Sequence, residues 1–398
     1  MFDLINSMPV WLLFPVFINI LILIYYVPGL FIGSRISLPE IKENQRILDV
    51  TVILPTYNDE NGVKDSLESI KNQYGCHRYK VIVINDASTD RTPIIINEWI
   101  KNNDKNGHYL HINLPTNSGL KGRAINRIID RIDENCDAVV ILDGDTVLDR
   151  YAIDSCLRRL FNEPNLAAVC GMVIPINNGL KGLANRLQKG ELLGAFHGIK
   201  IAQCNMGSNS NLAGALTVHK MEAIKDVGWF DDWLVEDICW TWKAKVKGWE
   251  LGYVKESIAY TDCPNNMLKL WKQRRRWSRG RLEALKVALI ENWRNSHSII
   301  LPFIYSTTQI FIVPCLFLSA FFNPELTAIT YGTLLFLHYL FAHVNIKGLR
   351  NSEGNTSNIK IFESALWTSL FVDFFLWIPN AVGFFDEVMG KEKRWLTR

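Results

Sequence analysis

Five acidic residues have the types and the spacing that a site for a phosphorylated ligand needs. Asp86, Asp143 and Asp145 follow apolar runs typical of strands, and Glu236 and Asp237 begin a later helical stretch. Two carboxylates as close as Asp143 and Asp145 repel each other unless a cation lies beside them. Mg²⁺ favours one or two carboxylates together with substrate phosphates, so the pair predicts a divalent cation that joins Asp145 to a diphosphate.

The sequence contains no G-x-x-x-x-G-K-[ST] loop, which argues against a P-loop NTPase and favours a nucleotide-sugar as the ligand. Taken singly, each of the strand-end acids could equally be a turn or helix-cap residue. Their occurrence after three strands favours a shared binding site over three separate caps.

The segment around Asp237 combines acids with several aromatic side chains. Acids are normal in a first helical turn, where they complement the helix dipole. Aromatic faces beside a carboxylate suit a sugar ring, although the same rings could equally belong to the core. The rings belong to Trp229, Phe230, Trp233, Trp240 and Trp242. We interpret Asp237 as a candidate general base.

A basic and aromatic stretch lies within a predicted helix over residues 266–290. Gln273, Arg276 and Trp277 stand at positions i, i+3 and i+4 and therefore share one face of this helix. The neighbouring arginines point elsewhere, and we expect part of this cluster to contact anionic lipid headgroups from an interfacial helix. Residues 180–201 are predicted to form a second amphipathic interfacial helix.

The elements that position these residues are those of an α/β domain over residues 45–297. Apolar β-branched runs at 50–55, 80–84 and 138–142 each precede polar turn residues and a helical stretch. This alternation predicts a parallel sheet with helices on both faces. Ligands collect beyond the carboxyl ends of the strands in such sheets, which is where the three acids stand.

Four apolar segments surround this domain. About 20 apolar residues are needed to cross a bilayer, so we predict membrane spans there. The segments are 11–33, 298–322, 326–344 and 365–385. Residues 1–10 carry no Lys or Arg, whereas Lys347, Arg350 and Lys360 lie between the last two segments, which predicts a cytoplasmic domain in a multi-pass plasma-membrane protein. The basic tail K-E-K-R-W-L-T-R contradicts four simple crossings, so 365–385 is either a span or a re-entrant or interfacial helix.

Overall charge and cysteine spacing narrow the class of protein further. The formal net charge of +3 gives no basic field for nucleic acid, which we exclude as a partner. The eight cysteines form no C-x-x-C pair, which argues against a zinc cage or a disulfide framework and favours a reducing compartment.

The ordered set of motifs resembles that of the membrane-embedded processive family 2 glycosyltransferases. The set comprises P-T-Y-N-D-E at 55–60, Asp86, D-G-D at 143–145, E-D at 236–237 and Q-R-R-R-W at 273–277. The segment at 209–220 and its surroundings most resemble bacterial poly-N-acetylglucosamine synthases, with hyaluronan and chitin synthases as near neighbours.

This resemblance implies a GT-A-like fold, typical of nucleotide-diphospho-sugar transferases, and an inverting, processive transfer from a UDP-sugar. It also implies roles for individual residues. Thr56, Tyr57, Asp86, Lys121, Asp143 and Arg276 would bind the donor; Asp145 and Asp143 would bind Mg²⁺ or Mn²⁺; Asp237 would be the general base; Glu236, Gln273 and Trp277 would contact the acceptor and line a channel. The chain has N-S-G-L-K-G-R-A where related enzymes have N-x-G-K-x-x-A, so either Lys121 or Arg123 would face the phosphates.

Two other functions remain open at this stage. The chain could transfer a single sugar to a membrane lipid, because some enzymes of that kind also carry Q-x-x-R-W. It could also be a non-catalytic membrane scaffold that binds a nucleotide-sugar. The expected partners are the UDP-sugar, a growing glycan or lipid acceptor, the bilayer, and either a small membrane subunit or a second copy of the chain.

Overall fold

The computed structural model describes residues 10–32, 46–176, 188, 190–350 and 374–393. The strands are β1 (Asp49–Thr56), β2 (Arg78–Asn85), β3 (Tyr109–Asn113), β4 (Ala138–Leu142), β5 (Val147–Leu148), β6 (Leu166–Ile176), β7 (Leu216–Lys220) and β8 (Glu250–Asp262). The α-helices are α1 (Phe14–Ile32), α2 (Val63–Lys71), α3 (Thr92–Asn103), α4 (Lys121–Asn126), α5 (Ala152–Asn162), α6 (His197–Asn205), α7 (Met221–Val227), α8 (Glu236–Val246), α9 (Met267–Asn292), α10 (His297–Phe322), α11 (Pro324–Arg350) and α12 (Trp377–Val388). Shorter helical turns are Val10–Leu13, Ile129–Arg131, Leu192–Phe196 and Trp293–Asn295.

The described strands form one mixed sheet in the order β3-β2-β1-β4-β7-β6-β8-β5. The predicted parallel arrangement is confirmed for β3, β2, β1 and β4, and β6 also runs parallel to β8. It does not hold for β7, which is antiparallel to both β4 and β6. The reason is that the connection from β6 to β7 leaves and re-enters the sheet at the same edge.

This connectivity brings the ends of several strands to the same edge of the sheet. Because β6 and β8 run in the same direction as β4, their carboxyl ends reach the edge where β1, β2 and β4 also end. The antiparallel β7 begins at that edge. The ends of β4 and β8, the start of β7 and the helix α6 therefore surround one region.

Two apolar layers cover the sheet, one on each face. Side chains alternate along a strand with a period of two, so Val52 and Leu54 of β1 join one layer while Ile53 joins the other. All three are completely buried. Burial on both faces explains why the strand is a nearly continuous apolar run rather than an alternating one.

The long apolar helices form a third cluster together with α6. Within the described part of the chain, three stretches are long and apolar enough to cross a membrane: Trp11–Ile32, His297–Phe322 and Pro324–Val344. They coincide with the first three predicted spans. Polar contacts connect them, since Asn19 of α1 donates to the Thr308 hydroxyl of α10 at 2.7 Å. Asn205 of α6 donates to the Gly29 carbonyl at 2.8 Å.

Only part of the last predicted apolar segment is described. Residues 365–373 lie outside the described residues, and the remainder leads into the 12-residue helix α12. It packs mainly along α9.

The two predicted interfacial helices are both enclosed by other elements where the structure describes them. The helix α9 corresponds to the prediction for 266–290 but packs between α8 and α12. In the other stretch, residues 180–187 and 189 lie outside the described residues, and α6 packs against α1 and α11. His197, Lys200 and Ala202 are accordingly buried rather than arranged along an open surface.

Candidate active site

A cavity of about 720 Å³ opens at the carboxyl edge of the sheet. Its wall includes Asp143 and Asp145 after β4, Asp237 at the start of α8, and Gln273 and Trp277 on α9. Residues far apart in the sequence therefore share one enclosed space, as predicted from the strand ends and the helix face.

Lys121 is the central cation of this cavity. Its Nζ lies 2.7 Å from Asp143 Oδ1 and 3.5 Å from Glu236 Oε1, and it donates to the Gly214 carbonyl at 3.0 Å. Burial alone would lower the pKa of Lys121, but the two carboxylates outweigh it and hold that pKa above its usual range. The lysine is therefore charged and joins the strand edge to the start of α8.

Arg123 lies elsewhere. Its guanidinium forms a two-bond ion pair with Asp232, and both side chains are largely exposed to solvent. Lys121 lines the cavity. Of the two candidates for the phosphate-facing cation, the geometry favours Lys121.

Asp237 is held by backbone donors at the beginning of α8. Its Oδ1 accepts from the Ile238 amide at 2.7 Å, and its Oδ2 accepts from the Gly214 amide at 3.0 Å. A Cβ on Gly214 would stand 3.0 Å from the same carboxylate, so the close approach depends on glycine there. Burial, followed by repulsion from Glu236, raises the pKa of Asp237 to about 6. A carboxylate with that pKa is suited to accept a proton near neutral pH.

Asp143 and Asp145 fit a divalent cation that takes its other ligands from a substrate. Asp145 accepts from the Thr261 hydroxyl at 3.3 Å, so β8 helps to orient it. Among the described residues there is no group of three or more His, Cys, Asp or Glu side chains that could hold a metal. Two hard carboxylates without further protein ligands are typical of Mg²⁺ or Mn²⁺ bound together with phosphates.

Gly144, between the two acids, is required by close packing against the turn after β1. A Cβ there would collide with the Asp59 carboxylate and lie 3.1 Å from the Pro55 carbonyl. The space beside Gly144 is thus filled by the turn after β1. Asp59 also stabilises that turn, because its carboxylate accepts from the Tyr57 amide at 2.9 Å.

Three of the residues predicted to bind the donor, Thr56, Tyr57 and Asp86, are absent from the described wall of the cavity. Asp86 accepts from the Ser118 amide at 2.9 Å and from the Ser118 hydroxyl at 2.7 Å. The parallel register sets Thr56 opposite Asn85, so Tyr57 and Asp86 are neighbours at the strand edge. Thr56 is buried, and its hydroxyl donates to the Ile84 carbonyl at 2.9 Å. Its side chain therefore holds two strands together and does not face a ligand.

The arginines on α9 have protein partners instead of the expected lipid headgroups. Arg275 pairs with Asp386 at 2.5 Å, and Arg279 lies 3.3 Å from Glu387. Both acids are buried on α12. The prediction of a lipid-facing basic cluster is therefore wrong for these two arginines, because α12 covers that face of α9.

Trp277 receives its orientation from a second buried pair. Arg274 Nη1 donates to Glu191 Oε1 at 2.7 Å, and Nη2 lies 2.7 Å from Oε2. The guanidinium also lies 4.2 Å from the centre of the Trp277 ring. The arrangement combines an ion pair with a cation–π contact. Trp277 and Gln273 both line the cavity, as the shared helix face predicts.

The aromatic residues around Asp237 belong to the core. Trp240 and Trp242 are almost completely buried, and Phe230 and Trp233 are nearly so. The indole of Trp240 donates to the Gly228 carbonyl, and that of Trp242 donates to the Ser210 carbonyl, each at 2.9 Å. Satisfied, buried indoles support the packing interpretation for these rings.

The cavity continues beyond Trp277 toward the apolar helices. Its wall there includes the polar side chains Tyr305, Ser306 and Gln309 of α10 and His338 of α11. Polar groups in apolar helices face a protein interior or a water-filled space because burying them against lipid is costly. An enclosed path therefore leads from the strand edge to the candidate spans.

Sequence reasoning missed several residues of this site. Gly214, Thr261 and Glu191 all contact a predicted site residue. The beginning of β7 and the end of β8 would have indicated the first two, had the mixed topology been foreseen. Glu191 had no local signal, since its partner Arg274 is 83 residues away.

Comparison with known proteins agrees with this geometry. Residues 51–227 match the model of glycosyl transferase family 2, and residues 189–291 match a chitin synthase-like glycosyltransferase domain. The chain is 30% identical over 279 residues to the poly-beta-1,6-N-acetyl-D-glucosamine synthase of Staphylococcus epidermidis, which covers 69% of this chain and 65% of that relative. The same identity over 238 residues relates it to the Staphylococcus aureus enzyme of that name, over 59% of this chain and 55% of the relative. The chain thus spans less than two thirds of the length of these relatives.

A solved structure supports the fold independently. The mannosyltransferase from Pyrobaculum calidifontis, in complex with GDP-Man and Mn²⁺, superposes with a TM-score of 0.59 at 16% identity, over 95% of this chain and all of the other. This chain therefore contains a glycosyltransferase family 2 domain of GT-A-like fold that continues into a chitin synthase-like segment.

Proposed function

We propose that the protein transfers N-acetylglucosamine from UDP-N-acetylglucosamine to a growing β-linked polysaccharide, with inversion at the anomeric carbon. The observation that carries the proposal is the single cavity that joins Asp143 and Asp145 to Asp237 and Trp277 and then to Gln309 of an apolar helix. A donor diphosphate fits the strand edge, and an acceptor fits the part beyond Asp237. The activity for which the staphylococcal relatives are named supports the choice of sugar.

In this proposal Asp237 is the general base. It takes the proton from the acceptor hydroxyl while that oxygen attacks the anomeric carbon and the bond to the diphosphate breaks. The Gly214 amide orients the carboxylate, because it donates to Oδ2 and leaves Oδ1 next to the Ile238 amide. Glu236 raises the proton affinity of the base and helps to line the acceptor side.

The leaving nucleoside diphosphate is stabilised by fixed positive charge. Lys121 and Arg276 both line the cavity and flank the path between Asp143 and Asp237. Preorganised cations of this kind stabilise charge that develops in the transition state. Asp145, helped by Asp143, would hold Mg²⁺ or Mn²⁺, which when bound supplies Lewis-acid neutralisation of the diphosphate. The Mn²⁺ in the mannosyltransferase of similar fold supports this assignment.

The two substrates would bind in different places: the nucleotide base at the strand edge beside the cavity, and the acceptor inside the cavity. Tyr57 and Asp86 would hold the uracil, with Asp86 accepting from its ring N–H, while Thr56 keeps the strands in register. Trp277 would stack on the acceptor sugar and Gln273 would bond to it. Arg274 and Glu191 keep the Trp277 ring in place for this contact.

We further propose a multi-pass plasma-membrane protein with a cytoplasmic catalytic domain. The helices α1, α10 and α11 would cross the bilayer, and the polymer would enter the polar end of the cavity beside Gln309 and His338. A small membrane subunit or a second copy of the chain would complete the path.

The experiment is a donor screen with purified full-length protein in lipid nanodiscs. UDP or GDP release is measured with UDP-GlcNAc, UDP-GlcA, UDP-Glc and GDP-Man, and the labelled product is sized by gel electrophoresis. We expect release from UDP-GlcNAc and a polymeric product. Asp237→Asn should lower turnover by about 10²- to 10⁴-fold, the usual contribution of a general base. Asp130→Asn, which alters an exposed acid paired with Arg131, is the matched control.

Three outcomes would contradict the proposal. A single chloroform-soluble glycolipid as the sole product would indicate transfer of one sugar to a membrane lipid. Binding of UDP-GlcNAc without release of UDP, or unchanged turnover in Asp237→Asn, would indicate a scaffold or a different base.

A further inference from the structure

One face of α9 contacts the backbone of the segment that precedes Asp237, the candidate base. Arg276 donates to the Leu234 carbonyl at 3.2 Å, and Glu283 accepts from the Leu234 amide at 2.8 Å. The two side chains thus hold both polar backbone groups of one residue. Leu234 directly precedes Val235, which is the N-cap residue of α8, the helix that begins with Glu236 and Asp237.

A glycine lies between these two side chains on α9. Arg276, Gly280 and Glu283 stand at i, i+4 and i+7, which places them along one face of the helix. A Cβ on Gly280 would lie 2.5 Å from the Val235 Cβ, so Val235 approaches the helix backbone directly. Three positions on one face of α9 therefore contact Leu234 and Val235, two residues before the candidate base Asp237.

Glu283 is itself a buried carboxylate that needs compensation. Its side chain is 5% exposed, and Lys393 forms an ion pair with it. Lys393 also donates to the Asp232 carbonyl at 3.2 Å. A buried carboxylate with one cation and one backbone amide is fixed in a single orientation, because any other orientation leaves charge unpaired.

Among the described residues that form the cavity wall, Arg276 is present and Glu283 is not. The carboxylate of Glu283 therefore has no direct path to a substrate bound there. The shortest route from Glu283 to Asp237 runs through the bond to the Leu234 amide and the residues Val235 and Glu236 that follow it.

We propose that Glu283 is a positioning residue for catalysis: together with Arg276 and Gly280, it fixes the Leu234 backbone and thereby sets the position of Asp237 against the acceptor. The inference rests on the proposed function in so far as Asp237 is the base. Removal of Glu283 frees the Leu234 amide and allows the start of α8 to shift. Displacement of a catalytic group by about 1 Å can cost about 10²-fold in rate.

The test compares three variants of the full-length protein in nanodiscs. Glu283→Ala removes the acceptor, whereas Glu283→Gln keeps an oxygen that can accept from the Leu234 amide. Glu291→Ala is the matched control, because Glu291 also links α9 to α8 but pairs with Lys243 and Lys247 at the far end of α8. Release of UDP gives kcat and KM. Hydrogen exchange of the peptide that covers residues 231–240 reports on how firmly Arg276 and Glu283 hold the Leu234 backbone.

We expect Glu283→Ala to lower kcat by about 10²-fold while the KM for UDP-GlcNAc stays unchanged within error. Glu283→Gln should recover at least about a tenth of the wild-type kcat, because a neutral acceptor makes a weaker version of the same bond. Exchange at Leu234 should rise in the alanine variant and return toward the wild-type rate in the glutamine variant. Glu291→Ala should leave both readouts unchanged.

The inference is overturned if Glu283→Ala keeps the wild-type kcat, or if the glutamine and alanine variants lose activity equally. It is also overturned if exchange at Leu234 does not change. Failure of the proposed function is a separate result, because it would be visible as absent UDP release from the wild-type protein. The exchange data would still test whether Glu283 holds the Leu234 amide.

Discussion

The two ends of the cavity carry charge in different ways. At the strand edge, Asp143 faces Lys121 at 2.7 Å with a side chain that is 34% exposed, so solvent and ligands can reach it. Along α9, Arg274 pairs at the same distance with Glu191, and both side chains are almost fully enclosed. The pair at the strand edge is thus partly open to solvent, whereas the pair along the helix is enclosed by protein.

Substitutions in these two regions should therefore have different effects. A change at the strand edge should alter the dependence on metal and donor while the fold persists. A change along α9 should alter the stability of the fold, because the loss of one partner leaves a buried charge unpaired. The predictions below test that separation, beginning with the largest expected effect.

The strand edge should be the source of metal dependence. A chelator such as EDTA should abolish UDP release, and Mg²⁺ or Mn²⁺ should restore it. Asp145→Asn should lower turnover by about 10²- to 10³-fold, since a metal contributes several kcal/mol of transition-state stabilisation. It should also raise the metal concentration needed for half-maximal rate, while the melting temperature stays unchanged. An unaltered metal titration in this variant would place the cation elsewhere.

Along α9 the expected effect is on stability. Asp386→Ala leaves Arg275 without its buried partner and should lower the free energy of unfolding by about 3 kcal/mol. Thermal unfolding in detergent measures this loss, and the metal titration of the remaining activity should match that of the wild type. The double variant Arg275→Met/Asp386→Leu should regain most of the stability, because it removes the buried pair, and Lys391, the second partner of Asp386, is half exposed and can be solvated. A double variant as unstable as the single one would contradict the pairing.

Asp237 stands between the two ends, and its pH dependence reports on its surroundings. Its pKa of about 6 predicts that kcat/KM falls as pH drops below about 6, since the base must be ionised to accept a proton. Glu236→Gln removes the repulsion that helps to raise this pKa, so the acidic limb should move to lower pH. Glu222→Gln, which alters an exposed acid on α7, should leave it in place. A limb that moves to higher pH in Glu236→Gln would contradict this account.

The smallest effect is expected at the exposed pair beside the strand edge. Arg123→Ala breaks a solvent-exposed ion pair with Asp232 and should cost no more than about 1 kcal/mol of stability. UDP release should stay near the wild-type rate, whereas Lys121→Ala should lower it strongly. Loss of activity in Arg123→Ala would assign the phosphate-facing role to Arg123 instead.

The sequence was sufficient where function follows from local pattern. Asp143 and Asp145 could be placed because a buried parallel strand ends directly before them, and Gln273 and Trp277 because helical periodicity puts them on one face. The sequence did not show whether Thr56 binds the sugar donor, because the burial of its side chain depends on the neighbouring strand β2. The core role of Trp240 and Trp242 was equally hidden, since an aromatic ring suits both a sugar and a core.

Long-range pairing explains the remaining differences. The partner of Arg275 lies 111 residues further along the chain, and that of Arg274 lies 83 residues before it. No local signal connects such positions, so a run of arginines before an apolar segment was interpreted as a lipid-facing surface. The antiparallel β7 was missed for a similar reason, since strand direction depends on where a long connection re-enters the sheet.

The position of α12 after the apolar helices has a consequence for biosynthesis. Arg275 and Arg279 of α9 remain without their counter-charges until residues 386 and 387 have left the ribosome. The helix that carries Gln273 and Trp277 therefore reaches its final environment only after the apolar helices α10 and α11 have been made. A nascent chain that ends before Asp386 contains every residue of the proposed chemistry. It still lacks the two acids that pair with Arg275 and Arg279 of α9.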